Sequence, residues 1–314
     1  MHFFKINRIT GLQRVRLLLF TLLLSVQLLL PGKALSSGLL IVYPKVKAPY
    51  HKIYEDIIKG INENYPGKSQ ELQLPANSES NMLAESLKRY EPDVLVTLGR
   101  HALNKVCQLS SPPPIVAGAI TKTEEVVSGV SMSPDPEVIL SHLVEMAPFV
   151  KRVYVVADIE HQAQLEGAAT YLSQQGKILQ IETVESVQEA ATKYLKIIHQ
   201  ASAENAIWLM RSASLNDPSL LMLILEAAWK KKIVVFSSNP SHVKRGALFS
   251  LYPDNEKMGH TLAKIAQQLE RKLIPADAGL TPLRSVHLIV NKRTSKHLGI
   301  MPNKISGLTI HRLL

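Results

Sequence analysis

The stretch PDVLVTLGRHAL, residues 92–103, decides the fold predicted for this chain. Residues 93–98 form a short apolar run followed at once by a glycine, which predicts a buried strand that ends in a tight turn. Thr97, Gly99, Arg100 and His101 lie where this strand ends and the next helix begins. Ligands of open α/β sheets bind at this edge, so the turn is a candidate binding element.

Short apolar runs alternate with amphipathic helical segments on both sides of this stretch. Buried parallel strands joined by crossover helices have this pattern. It predicts an α/β fold with two Rossmann-like lobes, each built on a parallel sheet of four strands. We predict a further strand–helix pair over 246–272, a Pro/Gly-rich connector over 274–282, and a last strand and short helix over 284–298. The two added pairs are predicted to extend one sheet each, through a crossing between the lobes.

The first 36 residues have the order of a secretory signal peptide. Four basic residues precede an apolar run of 14 residues at 17–30, and the small residues Ala34 and Ser36 mark a cleavage site. An uncleaved membrane anchor is the alternative. No cysteine lies near the cleavage point, which argues against a lipoprotein. The segment therefore predicts export to the periplasm.

Charge and cysteine content exclude several classes of protein. The chain has a net charge of +10, and the five basic residues of the signal segment, which has no acid, leave +5 for the mature chain. These charges are dispersed along the sequence. The chain has no run of basic residues interleaved with aromatic residues, so we predict no nucleic-acid partner. Cys107 is the only cysteine, so no internal disulfide can form, and we interpret it as a packed helix residue.

The usual sequence signals of enzymes and cofactor sites are missing. The chain has no phosphate-binding loop, dinucleotide fingerprint, nucleophile elbow or zinc-protease motif, and its eleven histidines are scattered singly. We therefore predict a protein that is not an enzyme and needs no metal or cofactor. An exported hydrolase with a dispersed catalytic triad is a less favoured alternative.

Polar residues follow most of the predicted strands. At the start of a helix, free backbone N–H groups bind carboxylate or phosphate oxygens, but the same Ser, Thr, Asn and Asp residues also serve as helix caps. An arginine at such a turn can grip a carboxylate with two hydrogen bonds. The candidate ligand-binding residues are Tyr43, Thr97, Gly99, Arg100, His101, Ala119, Thr121, Ser131, Arg211, Ser214, Ser237, Asn239 and Asp254.

Several segments together resemble one known family. They are PDVLVTLG (92–99), PIVAGAIT (114–121), GVS (129–131), IVVFSSNPS (233–241), GALFSLYPDNEKMG (246–259) and LIVNKRTSKHLGI (288–300). In this order they resemble the ABC transporter substrate-binding proteins whose better-known members bind tryptophan or tyrosine. The resemblance implies a type I periplasmic-binding-protein fold, in which two lobes joined by a multi-crossing hinge close on a ligand.

The resemblance also implies a division of the chain and of the site. Lobe 1 would comprise residues 37–134 plus 246–272, and lobe 2 residues 135–245 plus 273–314. The turns at 97–100 and 119–121 would hold the acidic end of the ligand from lobe 1. Residues 211–214 and 237–239 would approach from lobe 2, with Asp254 at the return to lobe 1. Arg100 and His101 depart from the family, which often has a small residue after the glycine.

The sequence thus predicts an exported, monomeric solute-binding protein. It would capture a small anionic or zwitterionic, amino-acid-like ligand and present it to an ABC permease in the inner membrane. The alternative is a periplasmic sensing subunit that docks on a membrane receptor such as a histidine kinase.

Overall fold

Two predominantly parallel sheets organise the protein in a computed structural model, which describes residues 38–75, 80–122, 125–211, 217–305 and 307–314. The strands are β1 (Gly38–Pro44), β2 (Lys68–Leu74), β3 (Val94–Leu98), β4 (Ile115–Ile120), β5 (Ser128–Pro134), β6 (Arg152–Asp158), β7 (Ile178–Val184), β8 (Asn205–Leu209), β9 (Val234–Ser237), β10 (Phe249–Pro253), β11 (Leu280–Leu283), β12 (Val286–Val290) and β13 (Ile310–Leu313). The predicted signal peptide, residues 1–36, lies outside the described residues.

Helices connect most of these strands. They are α1 (His51–Asn64), α2 (Ser80–Tyr90), α3 (Arg100–Cys107), α4 (Pro136–Met146), α5 (Gln162–Gln174), α6 (Val187–Gln200), α7 (Pro218–Lys231), α8 (Ser241–Arg245), α9 (Asn255–Glu270) and α10 (Lys292–His297). Within the part of the chain that the structure describes, no helix is long and apolar enough to cross a bilayer.

The strands of the first sheet have the order β11-β5-β4-β3-β1-β2, and those of the second the order β13-β12-β10-β9-β8-β6-β7. All pairings are parallel except that of β10 with β12. The central strands are buried on both faces, which explains their continuous apolar runs. The carboxyl ends of the parallel strands place the predicted binding turns at one edge of each sheet.

Two strands lie in the sheet opposite to the one expected. The sequence assigned 246–272 to lobe 1 and 273–314 to lobe 2, but β10 belongs to the second sheet and β11 to the first. Gly279 and Pro282 interrupt the segment around β11, and such a composition predicts a connector. It nevertheless pairs with β5 at the edge of the sheet, where such residues are tolerated. The two later crossings, predicted at 245/246 and 272/273, therefore lie further along the chain, at residue 254 and at residues 284–285.

Three chain segments cross between the sheets side by side. They run from β5 into α4, from β10 into α9, and from β11 into β12. The backbone N–H of Asp135 donates to Leu283 O at 2.8 Å, and that of Asp254 donates to Ser285 O at 3.1 Å. The guanidinium of Arg284 also forms an ion pair with the carboxylate of Asp135. The crossings are therefore bonded to one another as a three-stranded hinge.

Helices α1 and α9 pack with their backbones in contact on the first sheet. A Cβ atom built on Gly60 would lie 2.0 Å from Glu256 O, and one on Gly259 would lie 2.1 Å from Ile57 O. Only glycine permits this approach at either position. The contact lets Ile57 and Met258 enter the same core cluster as strands β1 and β3.

Candidate functional site

The turn after β3 is built around Gly99. Its φ of 87° is a left-handed conformation that favours glycine, and its N–H donates to Gly118 O at 2.9 Å. A Cβ atom at this position would lie 2.9 Å from the hydroxyl of Tyr54, whose ring stacks on that of Tyr43 at 6.2 Å. Two tyrosines therefore pack beside the turn, and sequence analysis had singled out only Tyr43.

Two polar side-chain atoms of this turn are buried and have no hydrogen-bond partner in the structure. They are Oγ1 of Thr97 and Nε2 of His101. An unsatisfied buried polar atom costs about 1–3 kcal/mol, so such atoms are uncommon and call for an explanation. A polar group of a ligand that reaches this turn would supply the missing partners.

The other predicted residues of the first sheet are bonded to neighbouring turns. The exposed Arg100 donates from Nη2 to Lys122 O at 2.7 Å, which joins the turn after β3 to the turn after β4. Ser131 Oγ donates to Thr121 O at 2.7 Å. Ala119 has a φ of 55°, an uncommon value for a residue other than glycine. These contacts hold the predicted residues of the first sheet in one continuous edge.

Ser237, Asn239 and His242 form a hydrogen-bonded network at the end of β9. Ser237 Oγ donates to Leu209 O at 3.0 Å and accepts from the Asn239 N–H at 3.0 Å. It lies 2.8 Å from His242 Nδ1, so the proton in this contact belongs to the imidazole. Burial and the positive charges of Arg245 and Arg211 lower the pKa of His242. Ser237 is thus committed to internal bonds that shape this turn.

Asp254 lies in the hinge and caps α9. Its carboxylate accepts from the Lys257 N–H at 3.1 Å and lies 3.7 Å from His287 Nε2. Burial acts to raise the pKa of Asp254. The hydrogen bonds from Lys257 and the charge of His287 outweigh that effect and hold the pKa below its usual value. The residue therefore has a clear structural role.

A cavity of about 100 Å³ lies where the two sheets face each other. The end of β5 contributes Met132, Ser133 and Pro134 from the first sheet. Trp208 on β8 and Arg211 just beyond it contribute from the second sheet, and His161 and Gln164 lie in the 3₁₀ turn and helix that follow β6. Nδ1 of His161 is buried and has no partner in the structure. Of the predicted site residues that the structure describes, only Arg211 lines this cavity. Ser214 lies outside the described residues.

Sequence analysis did not select His161, Gln164 or Trp208. The Trp208 indole N–H donates to Ser238 Oγ at 3.0 Å, and its ring stacks on Phe236 at 5.9 Å. The alternation of side chains between the two faces of β8 is the sequence signal that could have identified Trp208. Ala206, Trp208 and Met210 pack in one core cluster, and Ile207 and Leu209 pack in the other. Trp208 therefore lies on the same face of the strand as Met210, the residue that precedes Arg211.

One group of potential metal ligands is found among the described residues, away from this cavity. It comprises Glu63, Glu256 and His260 on helices α1 and α9. Lys59 Nζ lies 2.8 Å from Glu256 and 3.7 Å from Glu63, and so supplies positive charge to both carboxylates. We interpret the group as an ion-pair network that joins the two helices.

A comparison with protein-family models matches residues 51–308 to the family described as ABC transporter substrate binding protein. This match covers most of the chain. The chain belongs to this family. The resemblance stated from the sequence motifs is thereby confirmed, and the fold is that of type I periplasmic binding proteins. A comparison with curated proteins finds no match.

Solved structures of this fold come from several bacteria. A Streptococcus pneumoniae ABC domain in complex with L-Trp has 19% identity and a TM-score of 0.52, with 89% of this chain and 100% of that chain covered. A ligand-free, open substrate-binding protein with adhesive properties from Clostridium difficile has 15% identity and a TM-score of 0.63, with 88% and 98% covered. A conserved domain protein from Vibrio cholerae has 18% identity and a TM-score of 0.51, with 88% and 100% covered.

Proposed function

We propose that this protein is the exported solute-binding component of an ABC-type uptake system. It captures a small anionic or zwitterionic, amino-acid-like solute between its lobes and presents it to a permease in the inner membrane. The observation that carries the proposal is the cavity to which Met132 on the first sheet and Arg211 on the second both contribute. Family membership supports the same role.

The topology suggests how capture occurs. We place lobe 1 at residues 38–134 plus 255–283 and lobe 2 at 135–253 plus 286–314, because each set holds the strands of one sheet. A solute that contacts both lobes binds better when they are closed, and it shifts the population toward closure. The three crossings are the segments that bend.

Export and assembly complete the proposal. Residues 1–36 act as a cleaved signal peptide, and the mature protein is a periplasmic monomer. The binding event involves no chemical turnover, so the protein works as a receptor and not as an enzyme.

A thermal-shift screen of the mature protein, residues 37–314, tests solute capture. The compounds are the twenty L-amino acids, small organic acids, dipeptides and nucleosides. A solute at one hundred times its Kd stabilises the folded state by about 2.7 kcal/mol, which is a shift of a few degrees in a protein of this size. We expect a saturable shift with amino acids or related acids, confirmed by calorimetry.

Two outcomes would contradict the proposal. A shift confined to uncharged solutes such as nucleosides would refute the ligand class. Binding to a receptor kinase in membranes, with no shift from any solute, would refute uptake and favour the sensing alternative.

A further inference from the structure

We propose that the second lobe holds the anionic group of the solute, at Arg211, and that the turns of the first lobe bind a different part of it. This inference rests on the proposed function and adds the orientation of the ligand in the cleft. It reverses the orientation that the family resemblance implies.

The charge of the cavity supports this orientation. Arg211 is the one permanently charged residue among the described residues that line it, and none of those lining residues is Asp or Glu. A guanidinium presents paired N–H donors that match the two oxygens of a carboxylate. Since no carboxylate in this lining competes for the guanidinium, an anionic ligand group is its natural counter-charge.

The remaining wall strengthens the attraction. His161 lines the same cavity, and its buried Nδ1, which has no partner, can donate to an anionic oxygen in the tautomer that carries a proton there. Trp208, Met210 and Leu251 form an apolar part of the wall.

The size of the cavity also fits a single group. Pockets that enclose a drug-sized ligand measure roughly 300 Å³ or more. This cavity measures about 100 Å³, which suits a carboxylate and the carbon atoms next to it. The rest of the solute would then extend toward the first lobe.

The first lobe offers a different chemistry. Its arginine at the predicted turn, Arg100, is exposed like Arg211 but already donates to Lys122 O. The polar atoms left without a partner in that turn belong to the hydroxyl of Thr97 and the imidazole of His101. Both groups can bond a hydroxyl, amine or amide of the solute, and neither carries the permanent positive charge that Arg211 offers to a carboxylate.

Calorimetry on matched probes tests the orientation. Each L-amino acid that binds the mature wild-type protein is compared with its carboxamide, which lacks only the negative charge. The variants are Arg211→Gln and, as the matched control in the other lobe, Arg100→Gln. We expect Arg211→Gln to weaken binding of the acid by about tenfold or more and to remove most of the preference for acid over amide. Arg100→Gln should leave that preference intact.

The outcomes separate this inference from the proposed function. If Arg100→Gln removes the preference and Arg211→Gln does not, the anionic group lies on the first lobe and the inference is wrong, although solute capture stands. Equal binding of acid and amide by the wild-type protein also overturns it. If no amino acid binds, the inference fails, and if no related acid binds either, the proposed ligand class fails with it. Thermal unfolding of both variants confirms that they fold.

Discussion

Thr97 allows its proposed contact with the solute to be tested together with its effect on stability. Its side chain is fully buried, and Oγ1 has no hydrogen-bond partner in the structure. Valine has nearly the same shape and no polar atom to satisfy. We expect Thr97→Val to leave the unliganded protein as stable as wild type, or up to about 1 kcal/mol more stable. The same variant should bind the solute several-fold more weakly. Urea unfolding and calorimetry measure the two effects, and unchanged solute affinity would argue against a contact at Thr97.

Substitutions of Asp254 distinguish the contribution of its helix-capping hydrogen bond to stability from the contribution of its charge. Asp254→Ala should lower the free energy of unfolding by about 1 kcal/mol at pH 7, because α9 loses its cap. Asp254→Asn keeps a capping oxygen and is the matched control, with a smaller loss expected. Because the pKa of Asp254 is depressed in the folded state, its contribution is present above the unfolded pKa of about 3.9 and is lost as pH falls further. Urea titrations from pH 7 to pH 3 measure this, and equal losses for both variants at all pH values would contradict it.

The lowered pKa of His242 leads us to expect that the protein loses stability on mild acidification. This pKa is lowered in the folded state by burial and by nearby Arg245 and Arg211. The unfolded chain therefore binds the proton more readily, so stability is complete above about pH 6.5 and declines as pH falls below it. An NMR titration of the ring should give a pKa below 6.5. A higher value would show that the imidazole is not held neutral by its surroundings.

For single residues, the sequence predicted which polar side chains follow the strands. It did not predict the hydrogen bonds that each of them forms. Arg211 was predicted for the site because it directly follows an apolar run, and in the structure it lines the cavity. The contacts of Ser237 with Leu209 and His242 depend on how β8 and β9 lie side by side. A one-dimensional pattern does not carry that pairing. His161 was missed because it lies in a short 3₁₀ turn, residues Ile159–His161, after a strand end that looked unremarkable.

Helices α1 and α9 give an element-scale prediction. Gly259→Ala places a methyl group where Ile57 O lies 2.1 Å away, so the helices must separate. We expect a loss of about 3 kcal/mol in the free energy of unfolding. Gly167→Ala in α5 is the matched control, since no atom lies within 4 Å of its added Cβ. It should be neutral or stabilising by up to about 1 kcal/mol. Equal unfolding midpoints for the two variants would contradict the close helix packing.

Most of the strands that the sequence missed lie at the edges of the sheets. Strand β2, with the sequence KSQELQL, lies at the edge of the first sheet and is polar on its exposed face. Strand β13 lies at the edge of the second sheet. Edge strands need no continuous apolar run, so they are hard to distinguish from loops. Strand β5, SGVSMSP, was also missed although it lies between β11 and β4, because Gly129 and its serines interrupt the apolar run. The other central strands were predicted within a few residues of their observed bounds.

The whole molecule should not divide into two independently folding halves. Residues 38–134 supply five strands of the first sheet, but β11 and α9 come from much later in the chain. A fragment of residues 38–134 would expose the apolar face of α1, including Ile57 and Ile61. We expect it to be unfolded alone and to gain helical signal when a peptide of residues 255–285 is added. Far-UV circular dichroism measures both states, and cooperative unfolding of the fragment alone would contradict the prediction.

The interleaving of the strands also constrains how such a protein can diversify. Any single recombination breakpoint between residues 44 and 280 separates β1 from β11. The first sheet of the recombinant protein would then combine strands from two parent sequences. Between residues 158 and 280 a breakpoint divides both sheets at once. Exchange of whole lobes between paralogues would require several coordinated junctions. New ligand preferences in this architecture are therefore expected to arise by point substitution at the strand ends, while the sheets are inherited intact.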